Sequence, residues 1–182
     1  TSMINDLEIE DETYLVAGSF LFNNTNEHTK YFGNPARKIA EHKEKGIEIY
    51  AWCIMTNHIH LIFRSVTDEN PEKILGDFKR FTSKAIVKAI KENPRESRKE
   101  VLLKQFEISA SKSSNVRNYQ FWRHDNKPIE LWSNKVIFEK INYIHKNPVE
   151  AGLVFRPEDY MYSSAIDYSG EKGRLNDVVV CK

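Results

Sequence analysis

Short apolar-rich segments separated by polar turns divide the chain. Residues 13–22, 47–55, 58–63 and 129–132 are rich in β-branched and aromatic residues and read as strands, the last as an edge strand. Within the second of these, one face carries Ile49, Ala51, Cys53 and Met55, and the other carries Tyr50, Trp52 and Ile54. Because both faces are apolar, this pattern predicts a central strand that is covered on both sides.

In other segments the apolar residues recur at the spacing of an α-helix. A long helix is predicted to begin at Pro71 and to end at about Asn93, because Pro94 follows. Its apolar positions are Ile74, Leu75, Phe78, Phe81, Ala85, Ala89 and Ile90. A basic, partly helical segment follows over 94–114, and a shorter helix is predicted from Pro35 to about Lys45.

The last long helix begins at Ser133 or Asn134 and should end at Pro148. Ile137, Ile141 and Ile144 form its packing stripe. Tyr143 lies at the flank of this stripe, about 120° around the helix from Ile137. Asn147 is one turn further on, on the side of Tyr143. A half-buried packing tyrosine is the simpler interpretation, and a phenol facing a cleft is the functional one.

Two histidines sit on the strand that follows Thr56-Asn57. Side chains alternate along a strand, so His58 and His60 share a face with Ile62, while Ile59, Leu61 and Phe63 line the other. Two imidazoles about 7 Å apart on a rigid strand can bind one metal ion. The alternative is a pair of histidines in the core or at the edge, each hydrogen-bonded to a neighbour.

Length and composition limit the class of protein that this chain can be. The 182 residues suit one domain, with an acidic, loosely held segment 1–12 and a C-terminal tail 169–182 that docks on the body or on a partner. No apolar run approaches 18 residues, so we expect no membrane span. Two cysteines, Cys53 and Cys181, form no disulfide framework, and the start shows no secretory signal. We therefore expect a cytoplasmic protein with reduced thiols.

Basic residues are concentrated in one part of a nearly neutral chain. The formal net charge is +1, yet residues 78–104 carry nine Lys or Arg against three Glu. Four of these cations recur along one helix face, namely Arg80, Lys84, Lys88 and Lys91. Such a stripe fits a DNA backbone, although a solvated helix face is the alternative.

Aromatic residues are interleaved with basic ones over 119–124. Trp122 and Arg123 are candidates for stacking on unpaired bases. The alternative is that Phe121, Trp122 and Trp132 cap the core, which we favour for at least two of them.

The segments 55–63 and 141–153 together resemble the HUH single-tyrosine transposases, of the IS200-like and REP-associated types. The pattern shared with that family is His-hydrophobic-His after a turn ending in Asn, followed by a distant helix with Tyr shortly before Asn-Pro. The segment 156–165 is also similar to the family and should form a turn and a short helix against the tyrosine helix. The resemblance runs from Ile47 to about Tyr168.

The resemblance implies a fold and a chemistry. The fold is α+β and ferredoxin-like, an antiparallel sheet with helices packed on one face and a C-terminal helix that carries the tyrosine. Tyr143 is the implied nucleophile, giving a 5′-phosphotyrosine and a free 3′-OH. His58, His60 and Asn147 are the implied ligands of Mg²⁺ or Mn²⁺, and the residue types suit Mn²⁺ better. The implied substrate is single-stranded DNA that folds into hairpins, handled by a homodimer in a prokaryotic cell.

Two other functions fit parts of the pattern. One is a hairpin-binding protein, domesticated from a transposase, that has lost catalysis. The other is a metal-dependent phosphodiesterase that uses water, in which Tyr143→Phe leaves activity intact. The joint order and spacing of the histidines, Tyr143 and Asn147 favour nicking and strand transfer.

Overall fold

A computed structural model describes residues 15–21 as backbone, together with 47–114, 118–123, 128–176 and 178–181. The predicted helix from Pro35 and the segment 1–12 lie outside these residues. The strands are β1 (Leu15–Leu21), β2 (Ile47–Ile54), β3 (His58–Ser65) and β4 (Ile129–Leu131). The helices are α1 (Pro71–Glu92), α2 (Lys99–Ser111), α3 (Asn134–Glu150) and α4 (Ala165–Tyr168), with a 3₁₀ turn at Pro157–Asp159.

The four strands form one antiparallel sheet in the order β2-β3-β1-β4. This is the strand order of the ferredoxin-like arrangement, and it confirms the predicted α+β class. β3 is an inner strand between β2 and β1, so its backbone is hydrogen-bonded on both sides. The histidines therefore sit on one of the most firmly held strands of the sheet.

β2 differs from its prediction in two ways. It is one of the two outer strands, and not a central one. Two later segments of the chain cover its free edge. Ile54 N donates to Tyr162 O at 2.8 Å, and Val179 N donates to Ile49 O at 2.8 Å. The tail thus docks on the body. A β-bulge between Ile49 and Ala51 places Ile49 on the face of Trp52, so the strict alternation we predicted is wrong there.

Helices cover both faces of the sheet. On one face, α1 and α2 pack against Trp52, Ile59, Leu61 and Phe63. On the other, the isoleucine stripe of α3 packs against Ile62 and Cys53. The expectation that helices lie on one face therefore holds for α1 and α2 but is wrong for α3. This division matters for function because the histidine face of β3 is the one that α3 covers.

The helix ends follow their capping residues. Asn70 caps α1 by accepting from Glu72 N at 2.8 Å, with Pro71 in the first turn. Ser133 caps α3 by accepting from Val136 N at 3.3 Å. α3 does not stop at Pro148 as predicted, since it ends at Glu150, two residues before Gly152, whose φ is +69°. Proline has no N–H to give to the Ile144 carbonyl, but the last turn is closed by Leu153 N donating to Pro148 O at 2.9 Å.

Candidate active site

The two histidines point their ring nitrogens at one another. Their Nε2 atoms are 2.8 Å apart, and the rings meet edge to face with centroids 4.5 Å apart. Asn57 Oδ1 lies 2.5 Å from Nδ1 of His58, so that nitrogen carries the proton and Nε2 is left for a ligand. The turn residue before the strand thus sets the tautomer of the first histidine.

Both imidazoles are held neutral. Burial lowers the pKa of His60 to about 4, with a further lowering from His58. Burial also lowers the pKa of His58. A neutral imidazole is the form that binds a metal, so both histidines are ready for that role at neutral pH.

The tyrosine helix brings two more polar groups to this pair. Ile137, Ile141 and Ile144 are buried against the histidine face of the sheet, as predicted. Tyr143, at the flank of that stripe, is half exposed, and its ring centroid lies 5.6 Å from that of His60. Its phenol therefore borders the histidine pair and remains open to solvent.

Asn147 completes the cluster. Its Nδ2 donates to the carbonyl of Tyr143 at 2.7 Å. Its side chain also hydrogen-bonds His60, and that contact raises the His60 pKa against the larger effect of burial. A hydrogen bond that raises a histidine pKa is one in which the ring N–H donates, so the amide oxygen of Asn147 is the atom that accepts from His60. That oxygen is a suitable ligand for a divalent cation.

Two other residues of α3, His145 and Lys140, lie near Tyr143 in the sequence. His145 points away from the cluster into the core, where its Nε2 lies 2.8 Å from Ser164 Oγ, so it is not the third ligand. Lys140, one turn before the tyrosine, places its ammonium 5.8 Å from the Tyr143 ring centroid. We did not single out Lys140 from the sequence, although its i−3 spacing from the tyrosine was a usable signal.

The residues present fit a divalent metal. Two nitrogens bound side by side at about 2.1 Å in octahedral geometry would be about 3 Å apart, and the two Nε2 atoms are 2.8 Å apart. Within the described part of the chain, no group of three or more His, Cys, Asp or Glu residues could hold a metal. A third protein ligand at this place would therefore be of another type, and the amide of Asn147 is the candidate.

The predicted cationic stripe borders a separate groove. The groove has a volume of about 810 Å³ and lies between α1 and residues 118–123. All four stripe residues line it, as does Arg123, which is exposed. Both walls belong to the core under α1 and α2, so the groove opens on the side of the sheet opposite the histidines.

The cations of the stripe are not equally available. Arg80 pairs with Asp77 at 2.9 Å, and Lys88 with Glu92 at 3.8 Å. The Lys91 ammonium lies 4.3 Å from the ring centroid of Tyr119, a contact that the sequence had not indicated. For Lys84 the described residues provide no ion pair, which makes it the cation with the most freedom to meet a phosphate.

Trp122 is a core residue. It is only 5% exposed, and its indole Nε1 donates to Thr82 Oγ1 at 2.9 Å. Phe121 is fully buried beside it. The hypothesis that Trp122 stacks on unpaired bases is therefore wrong in this structure, and the core alternative holds for these two residues. Trp132, by contrast, is 79% exposed. Phe81, which we had placed on the apolar face of α1, is also exposed.

Together these features define an α+β protein with a histidine pair on an inner strand and a tyrosine on the helix that covers it. The sequence model described as "Transposase IS200 like" matches residues 22–121, more than half of the chain. The chain belongs to this family, that of the HUH single-tyrosine transposases. The matched range contains both histidines, while Tyr143 lies beyond it and is brought to them by the fold.

A solved structure has the same fold. It is a REP-associated tyrosine transposase bound to a REP hairpin, and it superposes with a TM-score of 0.57 over 91% of this chain and 85% of that one. Sequence identity is 16%, so the likeness concerns the fold alone. A comparison with curated proteins gave no significant match. Among the described residues, no helix is both long and apolar enough to cross a membrane.

Proposed function

We propose that this transposase cleaves and rejoins single-stranded, hairpin-forming DNA through a covalent phosphotyrosine, with Mg²⁺ or Mn²⁺ held by His58, His60 and Asn147. The observation that carries the proposal is the convergence of four side chains from β3 and α3, with the phenol of Tyr143 exposed beside a neutral histidine pair. Each of these groups has a role in phosphoryl transfer.

A divalent metal held by His58, His60 and Asn147 would neutralise charge at the scissile phosphate. The chain itself supplies the nucleophile. Tyr143 Oη attacks phosphorus in line, an O–P bond forms to the tyrosine, and the bond to the 3′ oxygen breaks. The phenolic proton passes to solvent and the departing 3′ oxygen takes up a proton. The phosphodiester energy is kept in the tyrosine link, so rejoining requires no nucleotide cofactor.

Side chains around the nucleophile support this step. The ring of His60 packs edge-on against Tyr143, which limits the positions that the phenol can take. Lys140 adds a positive charge near the place where a substrate phosphate must lie to be attacked.

The groove on the opposite side of the sheet suits the hairpin stem. Its rim carries Arg80, Lys84, Lys88 and Lys91 on one wall and Arg123 on the other. Because the groove and Tyr143 lie on different sides of the sheet, one stretch of DNA cannot fill both. If both belong to the same protomer, the substrate needs a single-stranded extension long enough to pass around the sheet to the nucleophile. We propose a homodimer as the working unit, as the family resemblance implies.

The test is covalent capture. The protein is incubated with Mn²⁺ and labelled palindromic oligonucleotides from the source genome, beside Tyr143→Phe, and resolved on a denaturing gel. An adduct that needs both the metal and Tyr143 supports the proposal. Cleavage that persists without an adduct in Tyr143→Phe would indicate a phosphodiesterase that uses water. Hairpin binding without cleavage across the pool would favour a domesticated binding protein.

A further inference from the structure

One buried polar contact ties the tyrosine helix to the sheet. His145 is two residues from both Tyr143 and Asn147, but its side chain faces the core and is only 7% exposed. Its Nε2 lies 2.8 Å from Ser164 Oγ, and Ser164 itself is fully buried. Neither residue has a role in the chemistry proposed above, so this contact is available for another purpose.

Ser164 is fixed to β2 through three hydrogen bonds with one residue. Trp52 N donates to Ser164 Oγ at 2.9 Å, Ser164 N donates to Trp52 O at 2.9 Å, and Ser164 Oγ is 3.2 Å from Trp52 O. Since the hydroxyl proton goes to the Trp52 carbonyl, Oγ is left as an acceptor for the Nε2–H of His145. The hydrogen bond therefore joins α3, through Ser164, to the backbone of β2, with His145 as the donor and Ser164 Oγ as the acceptor.

A second link runs parallel to the first. The His145 ring meets that of Tyr168 with centroids 4.9 Å apart. The Tyr168 hydroxyl donates to Tyr50 O at 2.8 Å, again on β2. β2 is in turn paired with the histidine strand, with Cys53 opposite His60. A continuous series of contacts thus leads from the tyrosine turn of α3 to His60.

We infer that His145 is a positioning residue, which fixes the rotation and depth of α3 so that Tyr143 and Asn147 meet His60. The inference rests on the proposed function. The isoleucine stripe holds α3 against the sheet, but apolar packing has no preferred direction and permits small rotations. A buried hydrogen bond is directional, and a shift of about 1 Å at a catalytic group is enough to slow a reaction strongly.

The test compares two substitutions with a matched control. His145→Phe keeps a ring against Tyr168 but removes the hydrogen bond, whereas His145→Gln keeps an N–H that can reach Ser164. Leu102→Ala is the control, because Leu102 is buried in the core on the opposite side of the sheet and its loss lowers stability without touching α3. Three quantities are measured well below the melting temperature of each variant. They are amide hydrogen exchange over 142–150, Mn²⁺ affinity by electron paramagnetic resonance, and the rate of adduct formation at saturating hairpin.

In His145→Phe we expect the rate of amide exchange over 142–150 and the Mn²⁺ dissociation constant each to rise by about tenfold. The rate of adduct formation should fall by about tenfold. A tenfold change is the equivalent of one hydrogen bond. His145→Gln should recover most of each loss, and Leu102→Ala should leave all three near wild type. The inference is overturned if His145→Phe matches wild type, or if Leu102→Ala changes the same quantities equally. Failure of the proposed function is a separate result, because a wild type that forms no adduct and binds no Mn²⁺ still leaves the exchange comparison to decide the role of His145.

Discussion

His60 and Tyr143 meet across the boundary between the sheet and α3, with ring centroids 5.6 Å apart and planes at 80°. One residue comes from an inner strand and the other from a helix 83 positions later in the chain. The edge-to-face contact keeps the phenol beside the ring that would bind the metal. Removing the hydroxyl alone should therefore leave this packing intact while removing the nucleophile.

Tyr143→Phe is accordingly expected to abolish the covalent adduct, with hairpin affinity and melting temperature close to wild type. The ring contact with His60 is preserved, Tyr143 is half exposed, and within the described part of the chain its hydroxyl makes no hydrogen bond that would be lost. Adduct formation on a denaturing gel and hairpin binding by fluorescence anisotropy are the two measurements. A variant that still forms the adduct would show that another residue is the nucleophile.

The histidine pair should separate metal binding from hairpin binding. His60→Ala and His58→Ala are each expected to abolish Mn²⁺-dependent cleavage, because either change leaves a single nitrogen at the site. Hairpin affinity should remain near wild type, since the groove lies on the other side of the sheet. Circular dichroism checks folding, and unfolding of both variants would instead support a structural role for the histidines.

The stripe cations should rank by how freely they can reach a phosphate. Lys84→Ala is expected to lower hairpin affinity most, and Arg80→Ala less, because Arg80 is already paired with Asp77 at 2.9 Å. Each charge that contacts phosphate should reduce the slope of log affinity against log salt by about 0.7 to 0.9. Lys112→Ala, an exposed cation outside the groove, is the matched control. Equal slopes for the three variants would exclude the groove as the DNA site.

Trp122 should affect stability and not recognition. In Trp122→Phe the bond to Thr82 Oγ1 is lost and a small cavity is left, which should lower the free energy of unfolding by about 1–3 kcal/mol. Hairpin affinity measured below the melting temperature should be unchanged. A specific loss of affinity for single-stranded flanks at unchanged stability would restore the stacking hypothesis for this residue.

Much of the site was predictable because it depends on local periodicity. Strand alternation placed His58 and His60 on one face, and the helical period placed Tyr143 and Asn147 on one side of the isoleucine stripe. The resemblance then predicted that the two pairs meet. The bulge at Ile49 and the segments that cover the outer edge of β2 were not predictable in this way, since that edge is covered through hydrogen bonds to distant residues, such as that from Val179 to Ile49.

Pro148 and Trp122 are two residues for which tertiary contacts overrule the prediction from the sequence pattern. A proline inside a helix is normally a stop, but in the last turn the fold compensates through Gly152 and the Leu153 N–H. Aromatic residues beside arginine resemble a stacking surface, yet the same composition also describes the boundary of a core. The burial of Trp122 and its tertiary contact with Thr82 separate the two interpretations.

The last prediction concerns pH and the folded state. Burial lowers the pKa of His145 to about 4 in the native protein, whereas an unfolded histidine titrates near 6.5. Between these values the unfolded chain binds more protons than the native one, so stability rises with pH and is lost as pH falls from about 6.5 toward 4. His145→Gln removes one such group, and should make the slope shallower by up to about 1.4 kcal/mol per pH unit in that window. Urea unfolding at pH 7, 6, 5 and 4.5 measures both slopes. Identical slopes would mean that His145 becomes protonated in the native state at its ordinary pKa, which its burial beside Ser164 argues against.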